Sequence, residues 1–273
     1  MGHTNGMVYL VGAGPGDADL ITVKGLRCLR AADVIVYDRL ISPALLEEAS
    51  PQAERVFVGK ESGCHTLAQE QINALLIAYA RRGRTVARLK GGDPFLFGRG
   101  GEEALALAEA GIPYEIVPGV SSALAVPAYA GIPVTHRNYA AQLTIVTGHE
   151  STADGPAASV NWEALAKLEG TLVILMGMAN LATISGRLIA SGMAPQTPAA
   201  VIEQGTLPTQ RVVSGALKDI AALVSAAKLR SPAIIVIGAV AALHESLAWF
   251  DSLQPVLLAQ QMERDASSKL ALV

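Results

Sequence analysis

Residues 88–103 read RLKGGDPFLFGRGGEE, and the fold turns on how that stretch divides. Thr85-Val86-Ala87-Arg88-Leu89 predicts a buried strand. Gly91-Gly92-Asp93-Pro94 ends it, and Phe95-Leu96-Phe97-Gly98-Arg99-Gly100-Gly101 leads into a helix starting near Glu102. Adjacent glycines at a strand end bring bare backbone close to a neighbour, because residues without Cβ permit close approach and positive φ. In open α/β sheets ligands sit at the carboxyl ends of strands. A tight strand-to-helix turn would also account for the glycines. Lys90, Asp93, Arg99 and Glu102 crowded into one stretch point instead to a site.

Working outward, the chain shows strands alternating with helices. Val8–Val11 is a short apolar strand running into Gly12-Ala13-Gly14-Pro15-Gly16-Asp17. That loop fails the dinucleotide fingerprint G-x-G-x-x-G, since Asp17 holds the third glycine position and Pro15 lies where a helix should open. A carboxylate there would repel a pyrophosphate, so the loop suits a cofactor without phosphates. Asp33–Asp38 and Arg55–Val58 read as further strands, the first ending in Asp38-Arg39 and the second in Gly59-Lys60. Thr66-Leu67-Ala68-Gln69 reads as a capping box opening a helix over Leu67–Arg82. Tyr114–Val117 is a fifth strand, ending in Pro118-Gly119-Val120-Ser121-Ser122.

This spacing predicts a parallel sheet with helices on both faces. Its polar or glycine-rich strand ends (Gly12–Asp17, Asp38-Arg39, Gly91–Asp93, Ser121-Ser122) then lie along one edge. Beyond about residues 134–142 the pattern changes. Leu143–Thr147, Thr171–Met176, Ala200–Thr206, Arg211–Gly215 and Ala233–Ile237 read as strands, several in hairpin-like pairs, predicting a mixed sheet. The expectation is two α/β domains, 7–137 and 138–252, followed by a tail over 253–273.

Composition narrows the function. Hydrophobic residues make up 51% and charged ones 16%, enough to bury a substantial core. A net charge of −3 without a basic run argues against nucleic acid. Cys28 and Cys64 stand far apart, with no companion for a metal or disulfide framework. Ala233–Leu243, the longest apolar run, falls short of a membrane span. MGHTNG at the start carries no apolar signal region, and a cytoplasmic protein is expected.

Taken together, Val11–Asp17, Tyr37-Asp38-Arg39-Leu40, Val58-Gly59-Lys60, Arg88–Glu103, Val117–Ser122 and Gly131-Ile132-Pro133-Val134-Thr135-His136-Arg137 resemble the tetrapyrrole methylases. Within them, Tyr-Asp-Arg-Leu, Gly-Lys, Phe-Gly-Arg-Gly-Gly-Glu-Glu and Thr-His-Arg are most similar to the uroporphyrinogen-III C-methyltransferases. The resemblance implies a homodimer with S-adenosyl-L-methionine (SAM) held in the cleft between the two domains, S-adenosyl-L-homocysteine as product, and no metal. It places SAM contacts at Pro15, Gly91, Gly92, Asp93, Leu96, Ser121, Ser122, Met176, Gly205 and Ala233. The implied reaction methylates C2 and then C7 of uroporphyrinogen III, giving precorrin-2. Asp38 and Lys60 are the implied acid/base pair, with Arg99 a third catalytic candidate though a poor base, since guanidinium stays protonated.

The tetrapyrrole is rimmed with carboxylates, which calls for guanidinium forks. Arg39, Lys90, Arg99, His136 and Arg137 are the candidates, with Glu102 either orienting Arg99 or serving the helix dipole. Met176 reads equally as a SAM contact or as a core methionine. Three rivals stay open: another precorrin methyltransferase, a nicotinamide dehydrogenase using Asp38 as ribose ligand, and a noncatalytic SAM- or tetrapyrrole-binding module.

Overall fold

The computed structural model describes residues 5–59, 68–149 and 160–259. The chain divides into two compact units, residues 1–121 and 122–273. The change of sheet type read from sequence near 134–142 lies further along. The division comes earlier because the helix that follows it packs on the second unit's sheet.

The first unit runs β1 (Val8–Gly12), α1 (Val23–Ala31), β2 (Val34–Tyr37), α2 (Pro43–Glu47), β3 (Glu54–Phe57), α3 (Gln69–Arg81), β4 (Val86–Lys90), α4 (Gly100–Glu109) and β5 (Tyr114–Val117). Its sheet is wholly parallel in the order β3-β2-β4-β1-β5, as the alternation predicted. The stretch quoted first therefore leaves the central strand. Side chains alternate between two cores. Val8, Leu10, Val34, Val36 and Val86 pack with Ile72 and Leu76 of α3 and Leu107 of α4. Val11, Ile35, Ala87 and Leu89 pack with Leu29 of α1 and Leu45 of α2.

Two details differ from the sequence reading. The bond from the α3 N-terminus is made by Gln71, whose Oε1 accepts the Ala68 N–H at 2.8 Å. Thr66, with which Gln69 was expected to form a capping box, lies outside the described residues; the Gln69 side chain is buried and its Nε2 bonds Asn73 and Glu103. Helix α4 begins at Gly100, ahead of Glu102, because Arg99 takes a left-handed φ of 59° and turns the chain straight into it.

The second unit opens with α5 (Ser122–Tyr129), which packs on its sheet, followed by β6 (Leu143–Thr147), α6 (Trp162–Ala166), β7 (Thr171–Leu175), α7 (Leu181–Ala190), β8 (Pro198–Glu203), β9 (Arg211–Ala216), α8 (Ile220–Ala226) and β10 (Ala233–Ile237). The strand order is β6-β7-β10-β8-β9. Only β6 and β7 are parallel, so the sheet is mixed as expected. The strand read over Ala200–Thr206 stops at Glu203, because Gln204 and Thr206 take φ of 47° and 70° and lead the chain out of the ladder. Among the described residues no helix is long and apolar enough to cross a membrane.

In the first unit the loops after β1, β4 and β5 meet backbone to backbone. A Cβ on Gly119 would stand 2.3 Å from the Gly92 carbonyl oxygen and 2.7 Å from Gly12 Cα; one on Gly12 would stand 2.5 Å from Gly119. No side chain fits, and the neighbouring atoms are backbone that cannot swing aside. Gly119→Ala is expected to cost about 1–3 kcal/mol through overpacking. A lower urea midpoint for the full chain checks it; an unchanged midpoint would show that the junction relaxes freely.

Candidate active site

The junction of glycines is also where polar groups converge. Ala13 donates its N–H to the Lys90 carbonyl at 2.8 Å, and Gly14 and Gly92 exchange both backbone bonds, at 3.2 and 2.6 Å. Asp93 joins the third loop: its Oδ2 accepts the Gly119 N–H at 3.1 Å, while its Oδ1 accepts the Phe95 N–H at 2.8 Å. Pro15, Gly91, Gly92, Asp93, Leu96 and Ser121, predicted to touch SAM, are thus gathered at or beside this edge of the first unit. Both Asp93 oxygens are committed to backbone, which makes Asp93 a clamp on the loops. Asp17 accepts the Asp19 N–H and caps a short 3₁₀ turn at Ala18–Leu20. Residues 12–17 carry a carboxylate and no cation.

Outside this backbone layer stands a charged rim. Asp38 follows β2 directly and is partly exposed; its Oδ1 accepts the Leu40 N–H at 3.0 Å, fixing one oxygen. Arg39 beside it is exposed. Arg99 and Glu102 form a two-bond fork along the first turn of α4, with Nε to Oε1 at 2.9 Å and Nη2 to Oε2 at 2.6 Å. The hydrogen bond from Arg99 holds the Glu102 carboxyl below its usual range, and the same bond raises the Arg99 guanidinium. Both side chains are about half exposed, so the pair itself adds only about 0.2–1 kcal/mol. Its value lies in orientation: the Nη1 edge of Arg99 is left without a partner among the described residues.

Beneath the rim lies a charged layer that sequence reasoning missed. Period-two alternation turns Arg88 and Lys90 of β4 to the same face as Val86, where α4 supplies Glu103. Glu103 Oε1 accepts from Arg88 Nε at 3.1 Å, Lys90 Nζ at 3.0 Å and Gln69 Nε2 at 3.3 Å. Glu103 is fully buried, and Arg88 and Lys90 are each 4% exposed. Lys90 was expected as a tetrapyrrole ligand, but its ammonium turns inward to Glu103. Burial, then the neighbouring Arg88 cation, push it below the ordinary lysine range, partly offset by Glu103. Breaking such a buried pair costs about 3–5 kcal/mol, far more than the rim pair. The signal was present: a buried strand with two charges on one face, which calls for a carboxylate from the helix that follows, where Glu102 and Glu103 both stand in the first turn.

In the second unit, β7 and β8 both run antiparallel to β10, so their carboxyl ends flank its start. Leu175 pairs with Ile234, and Glu203 pairs with Ala233. Met176, Gly205 and Ala233 therefore share one sheet edge. Met176 is 52% exposed at φ 56°, which excludes the core reading. Gly205 is buried, and a Cβ there would meet Val126 of α5 at 2.3 Å. Ser122 is the first residue of α5. His136 and Arg137 sit in a turn closed by the His136–Ala140 bridge, with the His136 ring 4.9 Å from that of Tyr139 and Arg137 exposed. Lys60 lies outside the described residues. Among the described residues no cluster of His, Cys, Asp or Glu could hold a metal.

A parallel sheet whose first glycine loop carries no cation, with a carboxylate and an oriented guanidinium standing at the ends of its strands, defines an α/β protein with a ligand edge of the open-sheet type. Comparison with known proteins gives the family. Residues 7–221 match the Tetrapyrrole (Corrin/Porphyrin) Methylases. The chain is 50% identical over 249 residues to a siroheme synthase of Pseudomonas putida and 52% identical over 248 residues to one of Neisseria meningitidis. Each match covers 91% of this chain but 53% and 51% of the relatives, so the chain spans about half their length. Among solved structures it is similar to the uroporphyrin III C-methyl transferase of Thermus thermophilus, with 40% identity and a TM-score of 0.73, over 86% of this chain and 98% of that one. The same Thermus protein is known complexed with S-adenyl homocysteine. A cobalt precorrin-4 methyltransferase matches at 30% identity and a TM-score of 0.75, over 86% of this chain and 95% of that one. The chain belongs to the tetrapyrrole methylase family.

The Lys90 ammonium yields a pH prediction. Its folded pKa is lowered, so above that value the unfolded chain binds more protons and stability linked to this group rises with pH up to the ordinary lysine value of 10.5. In Lys90→Met this contribution to the slope should vanish. Urea unfolding of both proteins across the alkaline range checks it, and identical slopes would contradict a lysine held below its ordinary range.

Proposed function

We propose that the chain is a SAM-dependent C-methyltransferase that converts uroporphyrinogen III to precorrin-2, methylating C2 and then C7. The observation that carries this reading is the likeness to the Thermus methyltransferase over nearly that protein's whole length, in a chain with a cation-free glycine edge. That edge fits SAM: it offers backbone and apolar surface, Leu96 among it, and repels a pyrophosphate. Contacts to SAM are assigned to Pro15, Gly91, Gly92, Leu96, Ser121, Ser122, Met176, Gly205 and Ala233, with Asp93 holding the loops in place. A cytoplasmic homodimer is part of the same reading, and sedimentation of the purified protein tests the dimer.

The bound sulfonium supplies an electrophilic methyl group, and a neutral thioether leaves with the electron pair of the broken C–S bond. A pyrrole carbon is already nucleophilic, so the protein supplies orientation, a dry site and a proton acceptor. The methylated ring carbon keeps its side chain and has no hydrogen of its own, so the proton that restores neutrality leaves from the pyrrole nitrogen or an adjoining meso carbon; Asp38 takes it, with Lys60 as its acid partner. Arg99, held by Glu102, presents its Nη1 edge to a tetrapyrrole carboxylate, and Arg39, His136 and Arg137 bind others. Lys90 supports this rim from below.

Anaerobic incubation with uroporphyrinogen III and SAM, followed by mass spectrometry of the oxidised tetrapyrrole, should show two added methyl groups. Bound SAM without transfer would instead direct attention to later precorrins. Asp38→Ala should slow transfer about 10²-fold, the lower range for a general base, and leave the SAM Kd within about twofold. Equal loss of both in a folded variant would remove Asp38 from the chemistry. Arg99→Lys keeps the charge but loses the fork, and should weaken tetrapyrrole binding about tenfold. Unchanged affinity would refute its role.

A further inference from the structure

Arg88 lies in the buried layer, yet its bonds reach the rim. Nε donates to Glu103 Oε1 at 3.1 Å, and Nη1 donates to the Leu89 carbonyl at 2.9 Å and the Val36 carbonyl at 3.5 Å. These contacts fix the plane of the guanidinium and leave Nη2 facing Asp38 Oδ2, 3.7 Å away. Arg88 is 4% exposed, whereas the Asp38 side chain is 28% exposed.

The arrangement forgoes a stronger one. A guanidinium beside a carboxylate ordinarily forms two parallel bonds, with Nη2 taking the second oxygen. Here Glu103 Oε1 receives Arg88, Lys90 and Gln69 together, while Oε2 lies buried with no hydrogen-bond partner among the described residues. An arginine serving only the core would turn Nη2 to that empty oxygen. Instead Nη2 meets the oxygen of Asp38 that the Leu40 N–H does not hold. One oxygen of Asp38 is thereby fixed by the local turn, and the other stands at ion-pair distance from a cation anchored in the central strand.

We propose that Arg88, locked by Glu103, is a positioning residue that orients the Asp38 carboxylate for proton removal. The inference rests on the role given to Asp38 above. A lysine in the same place could pair with Glu103, as Lys90 does, but a single ammonium cannot bond Glu103 and two carbonyls and also face Asp38 in a fixed plane. Arg88→Lys therefore separates charge from geometry.

In the full chain, Arg88→Lys should lower kcat about tenfold while the SAM Kd, by calorimetry, stays within about twofold. Because the effect runs through Asp38, the Arg88→Lys/Asp38→Ala double variant should be no slower than Asp38→Ala alone. A further tenfold loss in the double variant, or loss of SAM binding in step with kcat, would overturn the proposal. A crystal structure of Arg88→Lys asks the same question without turnover. The Asp38 carboxylate rotated or divided between rotamers supports the proposal, and a carboxylate held in its present place refutes it. If the unaltered protein fails to methylate uroporphyrinogen III, the substrate reading falls and the crystallographic arm still decides the role of Arg88. If Arg88→Lys does not fold, Arg88→Met, which leaves the Lys90–Glu103 pair whole, is put to the same readouts.

Discussion

Gly12 and Gly119 stand against each other and against the Gly92 carbonyl with no room for a methyl group, and three strands must end at that height for the contact to exist. The parallel sheet meets this requirement by placing β4, β1 and β5 side by side with their carboxyl ends level. Asp93 then ties the second loop to the third, because its carboxylate receives the Gly119 N–H as well as that of Phe95. A carboxylate bonded to two backbone N–H groups is held against rotation and gains charge-assisted bonds. The edge is thus rigid before any ligand arrives, and little ordering entropy remains to oppose binding.

Charge is layered behind this edge according to burial. Arg99 and Glu102 pair at the surface, where water screens the attraction and the Arg99 guanidinium can exchange it for another carboxylate at small cost. Arg88, Lys90 and Glu103 pair in the core, where an unpartnered charge is too expensive to tolerate and exchange is closed. Glu102 and Glu103 are neighbours in sequence, yet about 100° of helical rotation sends one to the rim and the other into the core. One turn of α4 therefore supplies both an adjustable contact and a fixed support.

Much of this was legible in the sequence. Apolar runs ending in glycine at regular spacing gave the parallel sheet, and the shift to hairpin-like pairs gave the mixed one. The fork between Arg99 and Glu102 follows from their i,i+3 separation. The inward turn of Lys90 was not read, because a lysine beside glycines looks like a ligand until the alternation Val86, Arg88, Lys90 is set against the position of α4. The bond of Gln71 to the Ala68 N–H at the start of α3 was not read, since two glutamines two residues apart offer the same local pattern. The left-handed turns at Met176, Gln204 and Thr206 carried no signal. A β-branched threonine is among the residues least suited to positive φ, and here its N–H is held by Gln210 Oε1 at 3.0 Å, a contact made across the loop.

The division between backbone edge and charged rim also bears on how one fold serves different tetrapyrroles. Proteins whose names give uroporphyrin III and cobalt precorrin-4 as substrates share this architecture to similar degree, so the architecture cannot select between them. If the methyl donor binds at the glycine edge as proposed, it cannot select either, because that edge makes the same demand whichever tetrapyrrole is methylated. Choice must then come from side chains that can change without disturbing the glycine junction or the buried ion layer. Arg39, Arg99 and Arg137 meet that condition, being exposed and outside both. Arg88 does not, because its bonds to Glu103 and to the strand carbonyls bind it to the sheet. In this reading the rim decides which tetrapyrrole is accepted, and the layer beneath it keeps the carboxylate in place for whichever ring is bound.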